Sequence, residues 1–381
     1  MTFKTLAFAL AVSAPLLHAP LSVACTALMI TDLRGNAYSG KTMEFAGLLP
    51  FEMTYVPAGT PVTSKAPDGR PGLSFATRYP VLGVSANLRD GSRLNTMVEA
   101  ANDRGLSMTT NEMPGSRSPD LPAPAGTQFL STNELGLYLL GNFSSVAEVK
   151  EALQGGKVRV WLPGVSLMGN IAAPFHYILF DRSGEGIVIE YLDGKQTIHD
   201  NPVGVATNAP DFGWHLKNLD NYAHLSNRDR NRGQFNRLAV TAPDSGNALD
   251  GVPSTQISAG RFVKAAYYTQ FVRKAATPEA AVVTLGHILN NFDRPYDLST
   301  DQGFVAEGGS PTGISSEVTL FTWMNDKSRN LYFLRTIDSL NFATFAIDTL
   351  APVTKVVSIP LAEINDSRLD GTQVLLDAAK R

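Results

Sequence analysis

Short runs of apolar residues, each bounded by turn-forming residues, recur along most of the chain and predict a protein rich in β-strands. The first run, residues 25–30, is followed by a turn at 34–35 and a returning strand over 36–45. Further predicted strands cover residues 51–56, 97–101, 106–111, 177–180, 187–191, 204–208, 318–324 and 330–336. The last two flank a polar turn and therefore predict a hairpin.

Three segments instead repeat their apolar residues with the period of a helix, namely 145–153, 261–272 and 278–290. Strands in runs with helices set between them indicate antiparallel sheets covered by helices, so we predict an α+β layered fold. Hydrophobic residues make up 44% of the chain and charged residues 18%, which supplies a large core and excludes a disordered tail. Because the sequence has no internal repeat, we expect one domain over residues 25–381.

The first 24 residues have the pattern of a secretory signal peptide. Lys4 is the only Lys, Arg, Asp or Glu before Asp32, and an apolar run follows it over residues 6–12. Small residues stand at Ser22 and Ala24, as a cleavage site requires. Since the apolar run is too short to span a bilayer, we expect cleavage after Ala24 rather than a membrane anchor. The mature protein is then exported, to the periplasm or the medium.

The predicted cut would make Cys25, the only cysteine of the chain, the first residue of the mature protein. Three interpretations of this thiol are open. It could be a small buried apolar residue, although a lone thiol in an exported protein risks oxidation. It could carry a lipid anchor, for which Ser22 is a poor match to the usual leucine. It could be an N-terminal nucleophile whose own α-amine serves as base, because amine and thiol have similar pKa values near 8.

Other kinds of site are disfavoured by the sequence. The formal net charge of -3 gives no support for a nucleic-acid-binding protein. The chain lacks the Gly-x-Ser-x-Gly motif of serine hydrolases, and its histidines after the leader show no metal-ligand spacing. We therefore expect neither a metal nor an organic cofactor.

Residues 35–42, Gly-Asn-Ala-Tyr-Ser-Gly-Lys-Thr, satisfy the P-loop pattern of nucleotide-binding proteins. A P-loop needs a long helix beginning at its lysine, so that the helix N-terminus faces the phosphates. Gly47 and Pro50 would interrupt that helix almost at once, and Gly35 suits a hairpin turn better. The motif is therefore interpreted as part of a strand.

Five segments together resemble the choloylglycine hydrolase and penicillin V acylase family. The first two are Cys25-Thr26 at the expected mature start and the returning strand that ends in Gly-Lys-Thr-Met-Glu-Phe at 40–45. The others are Asn-Asp-Arg-Gly-Leu at 102–106, Thr-Asn-Ala-Pro-Asp-Phe at 207–212 and Arg-Phe-Val-Lys-Ala at 261–265. The resemblance implies the N-terminal-nucleophile fold, in which two stacked antiparallel sheets lie between helix layers (αββα).

The resemblance also implies roles for particular residues. Cys25 would be the nucleophile and, through its α-amine, the general base. Lys41 and Glu44 stand where the family has arginine and aspartate, and they would steady the thiolate and orient the amine. The alternative is an ordinary surface pair between the two. The side-chain amide of Asn208 and the backbone N–H of Asn111 would bind the developing oxyanion, and Arg261 would hold the charges of the site together.

The sequence therefore predicts an exported cysteine hydrolase that cleaves linear, non-peptide amide bonds through a thioester. The candidate substrates implied by the resemblance are penicillin V, glycine- or taurine-conjugated bile acids and long-chain N-acyl homoserine lactones, and export favours the first and the last. The resemblance also implies a homotetramer that binds neither nucleic acid nor membrane. The alternative function is an inactive or lipid-anchored binding protein that keeps the same fold.

Overall fold

A computed structural model of the chain describes residues 24–45, 49–86, 96–120, 125–165, 170–301, 315–364 and 370–381. The predicted signal peptide lies outside these ranges except for its last residue, Ala24, which is buried. The first described strand begins at Cys25, directly after it.

The strands are numbered in chain order. They are β1 Cys25–Thr31, β2 Ala37–Phe45, β3 Phe51–Val56, β4 Pro61–Lys65, β5 Pro71–Ala76, β6 Val81–Ala86, β7 Thr96–Asn102, β8 Ser107–Glu112, β9 Gln128–Ser131, β10 Val158–Trp161, β11 Gly164–Val165, β12 Ile171–Ala172, β13 Phe175–Phe180, β14 Gly186–Leu192, β15 Lys195–Asp200, β16 Val205–Ala206, β17 Arg232–Phe235, β18 Leu238–Thr241, β19 Thr300–Asp301, β20 Ser315–Ser316, β21 Val318–Asp326, β22 Leu331–Thr336, β23 Ala343–Ala346 and β24 Val357–Pro360.

The helices lie between groups of strands. The α-helices in the described ranges are α1 Thr132–Asn142, α2 Val146–Gln154, α3 Phe212–Asn218, α4 Ser258–Phe271, α5 Pro278–Leu289 and α6 Gly371–Ala379. Side chains cap several N-termini; Ser145, for example, accepts from the backbone N–H of Glu148 and so fixes the start of α2. None of these helices has the length and apolar composition needed to cross a bilayer.

Two antiparallel sheets form the body of the protein. One has six strands in the order β16-β1-β2-β21-β22-β23, and the other has eight in the order β15-β14-β13-β8-β7-β6-β3-β24. Their facing surfaces meet through polar as well as apolar side chains. Ser39 Oγ on β2 lies 3.3 Å from Ser107 Oγ on β8, and Lys41 forms an ion pair with Glu99 on β7. The stacked sheets therefore enclose a partly polar interior.

Helices cover the outer faces of both sheets. Leu289 of α5 packs so closely on β2 that a Cβ at Gly40 would lie 2.7 Å from Leu289 Cδ1. Gly136 of α1 likewise lies against Met97 and Met108 of the eight-stranded sheet. Together these layers confirm the predicted αββα arrangement. Close packing also explains why glycine precedes the lysine of the apparent P-loop, whose residues 37–42 are in a strand as predicted.

Most predicted strands and helices occur in the structure with ends shifted by a few residues. The largest difference is at 204–208, where only Val205–Ala206 is a strand. The next two residues leave the sheet because other elements take their backbone groups. Thr207 O accepts from the side chain of Asn111, and Asn208 N donates to the side chain of Ser258. The family-like segment is therefore a connection held by side chains of β8 and α4 rather than a strand.

Candidate active site

Cys25 opens β1 and is fully buried between the sheets. Its Sγ lies 3.8 Å from Met43 Sδ on the neighbouring strand β2. Its backbone nitrogen donates to Asn208 Oδ1 at 2.7 Å. In the chain described here that nitrogen belongs to the amide between Ala24 and Cys25, and it stands in for the α-amine of a chain that starts at Cys25.

Asn208 is buried, and both ends of its side chain are engaged. Oδ1 accepts from the Cys25 nitrogen and from Arg261 Nη2, the latter at 2.8 Å. Nδ2 donates one hydrogen to Glu112 O at 3.0 Å, and its second hydrogen has no acceptor among the described residues. The amide is therefore held rigidly beside Cys25 with a donor to spare.

Arg261, in the first turns of α4, ties this arrangement together. Besides Asn208, its guanidinium donates to Cys25 O, to Thr26 Oγ1 at 2.8 Å and to Gln256 O at 2.8 Å. Burial lowers the pKa of Arg261 to about 10, against the opposing effect of Glu44, so the side chain stays charged at neutral pH. A fixed cation that donates four hydrogen bonds can hold Cys25 and Asn208 in register.

Asn111 lies on β8, one residue before the carbonyl that accepts from Asn208. Its side chain is buried, and Nδ2 donates to Thr207 O at 2.8 Å. The side chain of Asn111 thus anchors the residue before Asn208. Its backbone N–H, predicted to be an oxyanion donor, is not free: Asn111 stands opposite His176 of β13, and because Met113 N donates to Pro174 O, strand alternation directs the Asn111 N–H to His176 O.

Lys41 and Glu44 lie on opposite faces of β2, so the surface-pair interpretation is wrong. Both side chains are buried. Lys41 faces the eight-stranded sheet, where it pairs with Glu99 and donates to Thr110 O at 2.7 Å. Glu44 accepts from Thr319 Oγ1 at 2.9 Å, and the charge of Arg261 acts on its carboxyl group. Side chains three positions apart in a strand point to opposite faces, which prevents a direct pair.

Burial dominates the protonation of the thiol and of the carboxyl groups near it. It raises the pKa of the Cys25 thiol to about 12, although the charge of Lys41 opposes this. It also raises the pKa of Glu44 and that of Glu99 to about 7, against the nearby Arg261 and Lys41 respectively. Burial alone would lower the pKa of Lys41. The negative charges of Cys25 and Glu99 outweigh this effect, so the Lys41 pKa is raised.

Ionisable side chains of both signs surround Cys25. They include the basic side chains of Lys41, Arg261 and Arg294 and the acidic side chains of Glu44, Glu99 and Glu317. A thiolate formed alone would add an uncompensated buried charge, which is costly. A thiolate formed together with an α-ammonium group would leave the balance unchanged.

Sequence reasoning missed Glu99, Arg294, Glu317 and a buried group of His176, Glu190 and His215. A signal was present for the two carboxylates on strands. Glu99 lies in a run that was predicted to be a buried strand, and so does Glu190. A charged residue inside such a run needs a partner, so each position indicated a buried polar contact. In the described ranges no group of three or more His, Cys, Asp or Glu side chains could hold a metal ion.

Lys41→Arg should keep activity, whereas Lys41→Ala should lower both kcat and the melting temperature. The alanine variant leaves Glu99 buried without its counter-ion, which typically costs about 3–5 kcal/mol. The double variant Lys41→Met/Glu99→Gln removes both charges, so it should recover most of the melting temperature but not the rate. Thermal melts and steady-state kinetics of the four proteins separate these effects. Full activity in the folded double variant would make Lys41 a bystander.

Comparison with known proteins places this geometry in a family. Residues 25–351 match the linear amide C–N hydrolases of the choloylglycine hydrolase family, and the match begins at Cys25. The conjugated bile acid hydrolase of Lactobacillus acidophilus is 30% identical over 330 residues, which are 85% of this chain and 96% of that protein. The penicillin V acylase of Pectobacterium atrosepticum is 25% identical over 89% of this chain and 88% of its own.

Solved structures show the same fold. A variant of the conjugated bile acid hydrolase from Clostridium perfringens superposes with a TM-score of 0.74 at 22% identity, over 88% of this chain and 97% of that one. The penicillin V acylase of Agrobacterium tumefaciens gives a TM-score of 0.68 at 20% identity, over 88% and 92%. The chain therefore belongs to the choloylglycine hydrolase family of linear amide C–N hydrolases, which act on C–N bonds other than peptide bonds.

Proposed function

We propose that the protein is exported, loses residues 1–24, and hydrolyses acyl amides with Cys25 as an N-terminal nucleophile. The observation that carries the proposal is the 2.7 Å contact between the Cys25 nitrogen and Asn208 Oδ1, inside a buried network that Arg261 completes. A contact of this length would orient a free amine next to its own thiol. The family match that begins at Cys25 agrees with this starting point.

The reaction then proceeds in two halves. The α-amine of Cys25 takes the thiol proton, and the thiolate attacks the carbonyl carbon of the substrate. The spare N–H of Asn208 stabilises the oxyanion. The C–N bond breaks as the α-ammonium returns its proton to the departing amine, which leaves a thioester on Cys25. Water attacks the thioester and its proton passes to the α-amine. The C–S bond breaks as the α-ammonium returns that proton to the departing thiolate, which releases the carboxylic acid and restores the free thiol and the free amine.

Three substrate classes follow from the family. Conjugated bile acids and penicillin V appear in the names of the relatives described above. N-acyl homoserine lactones contain the same kind of acyl amide bond. All three join an apolar acyl group to a polar amine, and the predicted export favours penicillin V and the acyl lactones. No cofactor takes part in the proposed reaction. We further propose a homotetramer in solution, free of nucleic acid and membrane.

The test is a panel of penicillin V, taurine- and glycine-conjugated bile acids and acyl homoserine lactones, followed by release of the amine product. We expect turnover of at least one class, and at least a 100-fold loss in Cys25→Ser, because an amine with a pKa near 8 deprotonates a hydroxyl poorly. Wild-type activity in the serine variant would reject the nucleophile.

The intact mass of the mature protein tests the competing function of a lipid-anchored binding protein. A mass that corresponds to a chain starting at Cys25 with a free terminus is expected. A diacylglycerol adduct on Cys25, together with no turnover on the panel, would reject the proposed enzymatic function in favour of a lipid-anchored binding protein.

A further inference from the structure

A buried carboxylate lies behind the segment that carries Asn208. Glu190 is on β14, and His176 occupies the neighbouring position of β13 in the eight-stranded sheet. Glu190 Oε1 lies 3.4 Å from His176 Nδ1, and Oε2 lies 3.2 Å from Nε2 of the more exposed His199. None of these three side chains has an assigned role in the reaction described above.

The carboxylate holds the segment 207–212 near both of its ends. Near the start, His176 Nε2 lies 2.9 Å from Thr207 O, which also accepts from Asn111. At the end, the Phe212 N–H donates directly to Glu190 Oε1 at 2.9 Å. Asn208 is the residue directly after Thr207, so its backbone position depends on this double attachment.

His176 lies between the Glu190 carboxylate and the Thr207 carbonyl. Both ring nitrogens of His176 face oxygen atoms, Thr207 O on one side and the Glu190 carboxylate on the other. Nε2 is in hydrogen-bond contact with Thr207 O, whereas Nδ1 lies 3.4 Å from Glu190 Oε1 and makes no hydrogen bond of its own. Burial works against ionisation of Glu190, but His176 and His199 beside it lower its pKa to about 2. The ionised carboxylate of Glu190 is thus buried behind the histidine that contacts the Thr207 carbonyl.

A second histidine holds the same stretch from the side of α4. His215 Nε2 lies 2.8 Å from Asn208 O, and its ring stacks on Phe262 with centroids 4.6 Å apart. Burial lowers the pKa of His215 to about 4, so the ring is neutral at pH 7 and can donate to that carbonyl. The backbone of Asn208 is therefore fixed independently of its side chain.

We propose that Glu190 is a positioning residue which, through His176 and the Phe212 amide, fixes Asn208 relative to Cys25. The proposal rests on the proposed function in one respect, since Asn208 matters for catalysis only if Cys25 is the nucleophile. Glu190 has no direct contact with Cys25 among the described residues. Its effect is one of placement, and misplacement by a fraction of an ångström lowers a rate more than it lowers binding.

Four variants test this link. His176→Leu removes the donor to Thr207 O, whereas His176→Gln keeps an N–H at nearly the same place. Glu190→Gln keeps an acceptor for the Phe212 N–H but removes the charge. His199→Gln is the matched control, because His199 contacts the same carboxylate from the outside and meets the segment only through the ring of Phe212, without a hydrogen bond to its backbone among the described residues.

We expect His176→Leu and Glu190→Gln to lower kcat by about 10–100-fold, with KM within about threefold of the wild type. His176→Gln should recover most of the lost rate, and His199→Gln should stay within about twofold of the wild type. Thermal melts confirm that each protein is folded. The same kcat for His176→Gln and His176→Leu, a loss confined to KM, or wild-type kcat in Glu190→Gln would overturn the proposal.

Alkylation of Cys25 by iodoacetamide supplies a readout that needs no turnover. Asn208 Oδ1 accepts from the Cys25 nitrogen, so a displaced Asn208 should favour the thiolate less and slow alkylation at pH 7.5 about 3–10-fold. The order of the variants should match that of kcat. An inactive wild type whose variants still follow this order would reject the proposed function alone, and equal alkylation rates in all variants would reject the positioning role.

Discussion

A chain that starts at Cys25 should hydrolyse its amide substrate, and a chain that keeps Ala24 in front of Cys25 should be nearly inactive. With Ala24 attached, the Cys25 nitrogen is an amide and has no usable lone pair, so it cannot take the thiol proton. Burial holds the pKa of that thiol at about 12. At pH 8 the thiolate fraction is then about one in 10⁴. Removal of Ala24 supplies both a base and the positive charge that balances the thiolate.

The two forms differ by one residue, so each is the other's control. Amide hydrolysis, alkylation of the thiol and thermal melting should be measured on both, with N-terminal sequencing to establish where each chain begins. We expect matching melting temperatures, because the sheets are untouched, and activity only in the shorter form. Comparable activity in the extended form would place the base elsewhere and end the N-terminal-nucleophile mechanism.

Asn208→Ala should lower kcat by about 10²–10³ with little change in KM. The substitution removes the spare Nδ2 donor proposed for the oxyanion and also the Oδ1 acceptor that holds the Cys25 nitrogen and Arg261. Both losses destabilise the transition state more than the bound substrate, so kcat should fall while KM changes little. Steady-state kinetics on an active substrate measures it.

Asn201→Ala is a matched control for the loss of a buried asparagine. Asn201 is buried near β16, the short strand that precedes Asn208. Its side chain accepts from the N–H of Val205 and donates to the carbonyl of Val205. It contacts neither Cys25 nor Arg261 in the described structure, so its removal should lower the melting temperature while kcat stays within a few fold. If Asn208→Ala changed only KM, Asn208 would bind substrate instead of stabilising the oxyanion.

Alternation and turn residues predicted most of the strands that build the two sheets, because those strands are set by nearby sequence, but not β6, β15, β23 or β24. The αββα stacking came from the resemblance, since apolar periodicity does not say which sheet faces which. The partners of Lys41 illustrate the limit. Glu99 is 58 residues away in sequence, and the two meet only because the sheets stack in one register. A sequence pattern contains no information about that register.

The connection at 207–212 illustrates a second limit. Its apolar residues predicted a strand over 204–208, but hydrogen bonds from Asn111, His176 and Ser258 take the place of strand pairing. Side chains from three distant elements decide this conformation, so local propensity could not. The asparagine was nevertheless identified from its motif, because the family resemblance concerns the order of residues and not their secondary structure.

The position of Cys25 in the sheet determines when the site can form during synthesis. Cys25 is bound by Asn208, 183 residues later, and by Arg261, 236 residues later, so its surroundings are complete only after most of the chain has been made. Contacts this distant form slowly, because a long loop must close before they contribute. A nascent chain therefore carries its thiol unburied and without its orienting asparagine and arginine. Catalytic competence is consequently a property of the finished, folded chain.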